Sequence, residues 1–322
     1  MPANLQRAVA LALLLLASTC AWAQSYPSKS LRLVVPYPPG ASTDAVARLV
    51  AQKLGEDLKQ TVVVDNRGGA SGNIGSDLVA KAQPDGYTFL LGTDATHTGN
   101  PHLFKGFPFD VIKDATPITM GARNILVLVA HPQFPPNNMR ELIDHAKRHP
   151  GTLSYGSSGT GSPHHLAGAL LNEMAGIDIT HVPYKGGGPA VTDVLGGQIP
   201  LVFASLVSVS TQLKAGKLKA LGVTESTRYA GLPEVAAIAE TLPGFEMSSW
   251  LGFFGPPRLP APILARLHDA LVKALVSPEV AAKLSAQGLL VVANTPEQFA
   301  AQQKADFDKR GQVIKAIGIQ PE

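Results

Sequence analysis

The chain has 322 residues, of which 45% are hydrophobic and 16% charged, so it can bury a full core and extensive disorder is excluded. Its formal net charge is only +3 and no basic run occurs, which argues against nucleic-acid binding. A single cysteine excludes an internal disulfide and a cysteine-based zinc cluster, and the length favours two domains.

The first 23 residues have the pattern of a cleaved export signal. Arg7 precedes an apolar run over residues 8–17, and Ala21-Trp22-Ala23 fits the small-residue cleavage rule. A transmembrane anchor is the alternative, but the run is shorter than the roughly 20 apolar residues that a span needs. Lipidation at Cys20 is a second alternative, although the preceding residues lack the usual leucine. We therefore expect a mature chain in a bacterial-type periplasm or outside the cell.

After the signal, β-branched runs alternate with amphipathic stretches. Strands are predicted at residues 31–35, 61–64 and 87–92, with helices at residues 45–58 and 73–82 between them. This alternation is typical of β-α units around a mostly parallel sheet. Each strand runs into a loop rich in glycine, serine or threonine, and parallel sheets bind ligands at the carboxyl ends of their strands.

A second set of short strands follows in the middle of the chain. They are predicted at residues 125–130, 153–155, 177–183, 201–203 and 218–223, with helices at residues 142–147, 190–195 and from residue 163. A strand at residues 250–255 precedes a helical end with helices at residues 262–275, 277–286 and 296–317.

The apolar strands near Ile125 and Trp250 are the expected crossings between two lobes. We assign residues 24–124 and 248–322 to the first lobe and residues 125–247 to the second. One large sheet with a helical tail is the alternative.

The loop at residues 156–162, Gly-Ser-Ser-Gly-Thr-Gly-Ser, is a candidate anion site. Its N–H groups and hydroxyls precede the positive end of a helix that Pro163 opens, and together they can hold a carboxylate, phosphate or sulfate without arginine. The plain alternative is a turn in which Ser162 caps the helix. His164 and His165 follow on the first helical turn, where adjacent residues do not share a face, so a metal pair is not expected.

The loop at residues 36–44 repeats this chemistry near the start of the chain. Gly40 allows the backbone to approach a ligand closely, and Ser42, Thr43 and Asp44 offer caps for the helix predicted from residue 45. We interpret Asp44 as a cap or loop organiser rather than a catalytic acid.

Motifs for nucleotide binding and hydrolysis are missing. The glycines at residues 68–75 do not follow G-x-G-x-x-G, and no Walker sequence occurs. The stretch at residues 156–159 is one residue short of the G-x-S-x-G nucleophile elbow. Ser158 could be combined with His165 or His97 and with Asp94 or Asp44 as a catalytic triad, but no motif supports such a combination.

Several motifs, taken as an ordered set, resemble those of a known family. They are LVVPYPPG at residues 33–40 with Thr43-Asp44, VDNR at 64–67, GNIG at 72–75, PDGYT at 84–88, YGS at 155–157, GSP at 161–163, HLA at 165–167 and HVPYKG at 181–186. Over residues 26–319 the chain resembles the Bug-type periplasmic solute receptors of tripartite tricarboxylate transporters. The resemblance implies a two-lobed α/β Venus-flytrap fold, type II-like among periplasmic binding proteins, with the ligand cleft between the lobes.

The resemblance also implies where a ligand binds. Family members hold a ligand carboxylate through N–H groups, hydroxyls and waters of the loops after the first strand of each lobe, which are residues 37–44 and 157–162 here. The expected ligand-binding residues are Tyr37, Gly40, Ser42, Thr43, Asp44, Thr93, Asp94, His97, Ser157, Ser158, Thr160, Gly161, Ser162, His165 and Ser205.

Some positions depart from the family pattern. Ala204 stands where the family often has aspartate, which argues against a ligand with an ammonium group at that end. Asp94 and His97 are unusual at their positions in the family pattern, and we expect them to contact the far end of the ligand. His97 can bind a second carboxylate. A solvated loop histidine is the alternative for His97.

The expected function is therefore that of a monomeric periplasmic receptor. It closes on a small carboxylate, and membrane permease subunits recognise the closed shape. We expect no catalytic residue, no metal and no cofactor. An exported α/β hydrolase or esterase is one alternative, and the same receptor fold used for signalling is another.

Overall fold

The computed structural model describes residues 26–39, 42–316 and 318–321, with Ser42 as backbone only. The predicted export signal with Cys20, the predicted ligand-binding residue Gly40 and the side chain of Ser42 lie outside this description. Within it, no helix is long and apolar enough to cross a membrane, and no group of three His, Cys, Asp or Glu side chains is placed to hold a metal ion.

The elements follow one another in α/β order. The strands are β1 (Leu31–Val35), β2 (Val62–Asn66), β3 (Thr88–Thr93), β4 (Thr116–Asn124), β5 (Leu126–Ala130), β6 (Leu153–Ser157), β7 (Ile179–Pro183), β8 (Leu201–Ser205), β9 (Lys219–Val223), β10 (Trp250–Gly255) and β11 (Leu289–Val291). The α-helices are α1 (Ser42–Leu58), α2 (Asn73–Ala80), α3 (Asn100–Leu103), α4 (Met139–Arg148), α5 (Pro163–Ala175), α6 (Gly187–Leu195), α7 (Leu206–Lys214), α8 (Ala261–Leu275), α9 (Pro278–Ala286) and α10 (Pro296–Ala316).

These strands form two sheets. The first has the order β11-β4-β10-β3-β1-β2, with β1 parallel to β2 and β3, and with β10 and β11 antiparallel to their neighbours. The second has the order β7-β6-β8-β5-β9, with β6 parallel to β7 and β8, and β5 antiparallel to β8 and β9. The two-lobed α/β prediction is confirmed and the single-sheet alternative is wrong. The sheets are mixed rather than mostly parallel, because β10 and β11 run against the other strands of the first sheet and β5 runs against those of the second.

The chain crosses between the sheets at two adjacent places. Only Ile125 separates β4 of the first sheet from β5 of the second, so one extended stretch enters both. The returning segment lies beside it, since Asn124 N–H donates to Ser249 O at 2.8 Å. Just before the return, Thr224 Oγ1 donates to Met247 O at 2.9 Å. We keep the limits 124/125 and 247/248 as proposed lobe boundaries.

Apolar periodicity explains how helices cover the sheets. The apolar residues Val46, Val50 and Leu54 of α1 are buried in one cluster with Leu33 and Val35 of β1. Burying each such side chain contributes about 1.5–3 kcal/mol. The apolar residues whose spacing predicts the helix and the strand are therefore the same residues that pack the two elements together.

Some boundaries and elements differ from the prediction. α1 begins at Ser42, so Thr43 and Asp44 belong to its first turn instead of preceding it. β6 continues to Ser157, because the Gly156-Ser157 backbone pairs with β7. Four of the named strands and helices have no counterpart in the sequence prediction. β4 contains Pro117 and Gly121, α3 has four residues, α7 is rich in valine and serine, and β11 has three residues.

The C-terminal helix α10 contacts both lobes. Near its start, the Phe299 ring packs against Trp250 and Phe254 of β10, with ring centroids 5.2 and 4.9 Å apart. Near its end, Val313 and Ile314 are buried in the core cluster of the second lobe. α10 therefore connects the two lobes independently of the crossings.

Charged groups of α10 are buried between these apolar ends. Arg310, 1% exposed, pairs with Asp94 and donates from Nη2 to Ser248 O at 2.7 Å. Asp306 accepts from Trp250 Nε1 at 2.7 Å and from Ser248 Oγ at 2.8 Å. Because buried charges are tolerated only when paired, these contacts fix the position of α10.

Replacing Arg310 with methionine is expected to lower the free energy of unfolding by about 3–5 kcal/mol, because Asp94 would remain buried without its counter-ion. Urea unfolding followed by tryptophan fluorescence measures the change. Lys304→Met is the control, since Lys304 pairs with Asp308 at the surface of the same helix and contributes less than about 1 kcal/mol. A loss in Arg310→Met as small as in the control would contradict the prediction.

Candidate functional site

A cavity of about 600 Å³ lies between the two sheets. The first lobe and the crossings contribute Tyr37, Thr43, Thr93, Asp94, Ala95, Asn124, Ser249, Trp250, Leu251, Ala286, Gln287 and Leu289. The second lobe contributes Ser158, Pro163, His164, Ser205 and Val207. Because both lobes line it, the cavity occupies the position of an interlobe cleft.

Six predicted ligand-binding residues line this cavity: Tyr37, Thr43, Thr93, Asp94, Ser158 and Ser205. Most of them lie at or just beyond the carboxyl ends of β1, β3, β6 and β8, where a ligand of such sheets is expected. The Tyr37 hydroxyl and Thr93 Oγ1 are 2.9 Å apart, and Asn124 Nδ2 donates to Ser205 Oγ at 2.9 Å. The sheets thus bring hydroxyls from both lobes to one place.

Three helix N-termini meet at the cavity. Thr43 lies in the first turn of α1, Pro163 opens α5, and Val207 is in the first turn of α7. Each N-terminus carries partial positive charge and N–H groups without helical acceptors. Together they favour an anion in the cavity.

Asp94 is the one charged side chain among the described residues that line the cavity. Burial raises the pKa of its carboxyl, and the charge of Arg310 opposes that shift. Because Arg310 balances the negative charge of Asp94, this carboxyl does not cancel the positive potential of the helix N-termini.

Asp44 and His97 are among the predicted residues that make structural contacts instead of lining the cavity. Asp44 accepts from Asn66 Nδ2 and from Arg48 Nε, both at 3.0 Å, and so ties α1 to the end of β2. His97 is 1% exposed, and its ring stacks on Phe254 with centroids 3.9 Å apart. The chain after β3 forms a π-helical turn (Ala95–Gly99) and not an open loop, which turns His97 into the core.

The loop after β6 uses most of its polar groups internally. Ser157 Oγ accepts from Gly159 N–H at 3.1 Å and lies 2.6 Å from His181 Nε2. Ser162 Oγ accepts from His165 N–H at 3.2 Å, so Ser162 is the helix cap that the plain alternative describes. Of the four hydroxyls expected to face an anion, only that of Ser158 lines the cavity.

Gly161, Thr160 and His165 also lie outside the lining. Gly161 has φ +76° and donates to His165 Nδ1 at 3.0 Å, and a Cβ there would lie 2.6 Å from Leu103 of α3. The His165 ring stacks on His181 at 3.8 Å, while Thr160 is exposed. These residues shape the loop and its packing against the first lobe.

The triads considered from the sequence do not form. His165 Nδ1 accepts a hydrogen bond from Gly161 N–H, and His97 Nδ1 lies 2.8 Å from Thr96 Oγ1. Asp94 is paired with Arg310. Ser158 instead lies beside His164, with Oγ 2.7 Å from Nδ1. The other ring nitrogen, Nε2, has no hydrogen-bond partner in the described structure, so no carboxylate orients this histidine.

Sequence reasoning missed several lining residues. His164 follows the serine-rich loop, but no sequence pattern indicates which of the two adjacent histidines faces the cavity. Asn124, Ser249 and Gln287 come from the crossings and from the end of α9. Polar residues at the ends of crossing strands are the signal that could have identified Asn124 and Ser249.

The fold consists of two mixed sheets covered by helices and joined by two crossings, with a cleft between them at which three helix N-termini meet. These features define a two-lobed binding protein of the periplasmic type. The chain belongs to one family of that class: the family model described as "Tripartite tricarboxylate transporter family receptor" matches residues 46–319. The resemblance seen in the motifs is thereby confirmed.

Solved structures of similar proteins agree with this assignment. The Rhodopseudomonas palustris protein Rpa4515 with adipate is 34% identical, with a TM-score of 0.77 over 92% of this chain and 100% of that one. MatC from the same species with bound malate is 32% identical, with a TM-score of 0.73 over 90% and 100%. The periplasmic binding protein BugD is 33% identical, with a TM-score of 0.73 over 92% and 100%. Membership in a family of periplasmic binding proteins implies a periplasmic location.

The stability of the fold is expected to fall as the pH drops from 6.5 towards 4. Burial lowers the pKa of His97 to about 3 and the pKa values of His164, His165 and His181 to about 4. In the unfolded chain these groups take up protons near pH 6.5. The contribution of the neutral histidines to the free energy of unfolding is therefore full above that pH and is lost as the pH falls from 6.5 towards 4.

His97→Phe keeps a ring on Phe254 and removes one titrating group. Its free energy of unfolding should depend less steeply on pH between 6 and 4, by up to about 1.4 kcal/mol per pH unit. Urea midpoints across this range give the slope. An unchanged slope would show that His97 does not contribute to the pH dependence.

Proposed function

We propose that this receptor captures a small carboxylate in the cavity between its lobes and delivers it to the membrane permease subunits of a tripartite transporter. The observation that carries the proposal is the meeting of three helix N-termini on one cavity, where the charged lining group, Asp94, is already paired. Helix termini and hydroxyls hold an anion by hydrogen bonds, and the described lining needs no arginine or lysine for this purpose.

The arrangement favours acids over amino acids. Asp94 is paired with Arg310, and Ala204 is a buried strand residue beside Ser205, so neither position offers a free carboxylate to a ligand ammonium group. Adipate and malate in the two relatives are both dicarboxylates. Apolar lining by Val207 and Leu251 suits the carbon chain of such a ligand.

In the proposed working cycle, the mature protein begins at Gln24 after removal of the export signal and acts as a monomer. Ligand binding closes the lobes, and the permease recognises the closed form. No chemical step takes place, which distinguishes this function from that of an esterase, and presentation to a permease distinguishes it from a signalling role.

A thermal-shift screen of the exported, purified protein tests the ligand class. Adipate, malate or citrate should raise the Tm, whereas aspartate and neutral sugars should not. A ligand at a hundredfold excess over its Kd stabilises the folded state by about 2.7 kcal/mol. Without any shift, turnover of a chromogenic ester that Ser158→Ala abolishes would favour the esterase.

Substitutions in the lining test the site. Thr43→Ala and Ser158→Ala should each weaken binding of the active acid about tenfold. Thr43→Ala removes a hydroxyl donor to the anion, and Ser158→Ala removes the hydroxyl that contacts the His164 ring on the cavity wall. One hydrogen bond to a charged group contributes about 1.5 kcal/mol or more. Thr160→Ala is the matched control, because Thr160 lies in the same loop but outside the cavity lining. Calorimetric titration gives the Kd values, and equal losses in all three variants would contradict the proposed site.

A further inference from the structure

His164 has the properties of a ligand-binding residue, although none of the sequence motifs assigns it that role. It is the second residue of α5, is 8% exposed and lines the cavity together with Ser158. Its Nδ1 is 2.7 Å from Ser158 Oγ. Its Nε2 is buried and has no hydrogen-bond partner among the described residues.

An unpartnered ring nitrogen is unfavourable in a buried position, because it has given up its hydrogen bond to water without gaining another. A group that borders a cavity can recover that bond from whatever occupies the cavity. A histidine that merely fills a core would account for the burial of His164, but not for its place on the cavity wall beside Ser158.

The Ser158 contact is compatible with either tautomer of the His164 ring, and an acceptor in the cavity selects between them. When the Ser158 hydroxyl donates to Nδ1, the ring proton resides on Nε2 and Nε2 becomes a donor. Burial lowers the pKa of His164 to about 4, so the ring is neutral near pH 7. The side chain therefore offers a directed N–H without a positive charge.

We propose that His164 is a specificity-determining residue whose Nε2–H donates a hydrogen bond to a carboxylate oxygen of the bound acid, with Ser158 as the residue that positions the ring. This inference rests on the proposed function. It assigns to the cavity a neutral side-chain donor in addition to the helix N-termini.

A neutral donor makes a distinctive prediction about pH. Affinity for a dicarboxylate should stay constant between pH 6 and 8, whereas a histidine cation would lose affinity over this range. The other titratable groups at the cavity and against α5 include Asp94 with Arg310, Tyr37, Tyr155, His165 and His181. Burial raises the pKa of Tyr37 to about 12 and lowers those of His165 and His181 to about 4.

Two substitutions of His164 separate its donor from its volume. His164→Phe keeps a ring and removes the donor, and binding of adipate and malate should weaken about 5- to 30-fold. His164→Gln keeps a donor and should bind within about threefold of the unchanged protein. Calorimetric titration measures both, and urea unfolding of each variant confirms that it folds.

Nitrogen-15 NMR of the histidine rings reads the tautomer directly. We expect the proton of His164 on Nε2, a shift of that signal on addition of adipate or malate, and loss of the tautomer preference in Ser158→Ala. Unchanged affinity in His164→Phe, or a proton on Nδ1, would overturn the inference. If no acid binds the unchanged protein, the proposed function fails first, and a proton on Nε2 in the free protein would still support the ring assignment.

Discussion

The buried pair between Asp94 and Arg310 connects the cavity to the far end of the chain. Asp94 follows β3 at the cavity lining, whereas Arg310 belongs to the C-terminal helix α10. Without the guanidinium, a carboxylate would stand beside the bound anion and repel it. The same arginine holds Ser248 O, which adjoins the returning crossing. Electrostatics of the site and packing of the lobes thus depend on one side chain.

The positive potential of the site comes from the backbone. Helix N-termini of α1, α5 and α7 are fixed by the packing of their helices, so the N–H groups need not be ordered when the ligand arrives. A lysine or arginine in their place would add a full charge and hold an anion more strongly. Partial charges and hydroxyls suit a protein that must also release its ligand.

Those parts of the structure that depend on local patterns can be predicted from the sequence. The periodicity of α1, the strands β1 and β10 and the cap at Ser162 all follow from short-range rules. The motifs also point to the right strand ends, which is why Thr43 and Ser158 prove to line the cavity.

Other features depend on partners far away in the chain. From the sequence, His97 is expected in an exposed loop, but in the structure its ring packs on Phe254. Likewise, the sequence does not show that the carboxylate of Asp94 is paired with Arg310. Ser157 looks like a ligand hydroxyl until β6 is extended by pairing and His181 approaches. In each case a contact formed in three dimensions overrides what the residue type suggests.

The contact of α10 with both lobes restricts how the cleft can open. Two adjacent crossings alone would act as a hinge with one free axis of rotation. Because Phe299 is fixed on the first lobe while Val313 and Ile314 are fixed on the second, any such rotation must also slide or bend the helix between them. Opening by rotation at the crossings therefore requires shear along α10, and packing of the apolar side chains at its two ends opposes that shear.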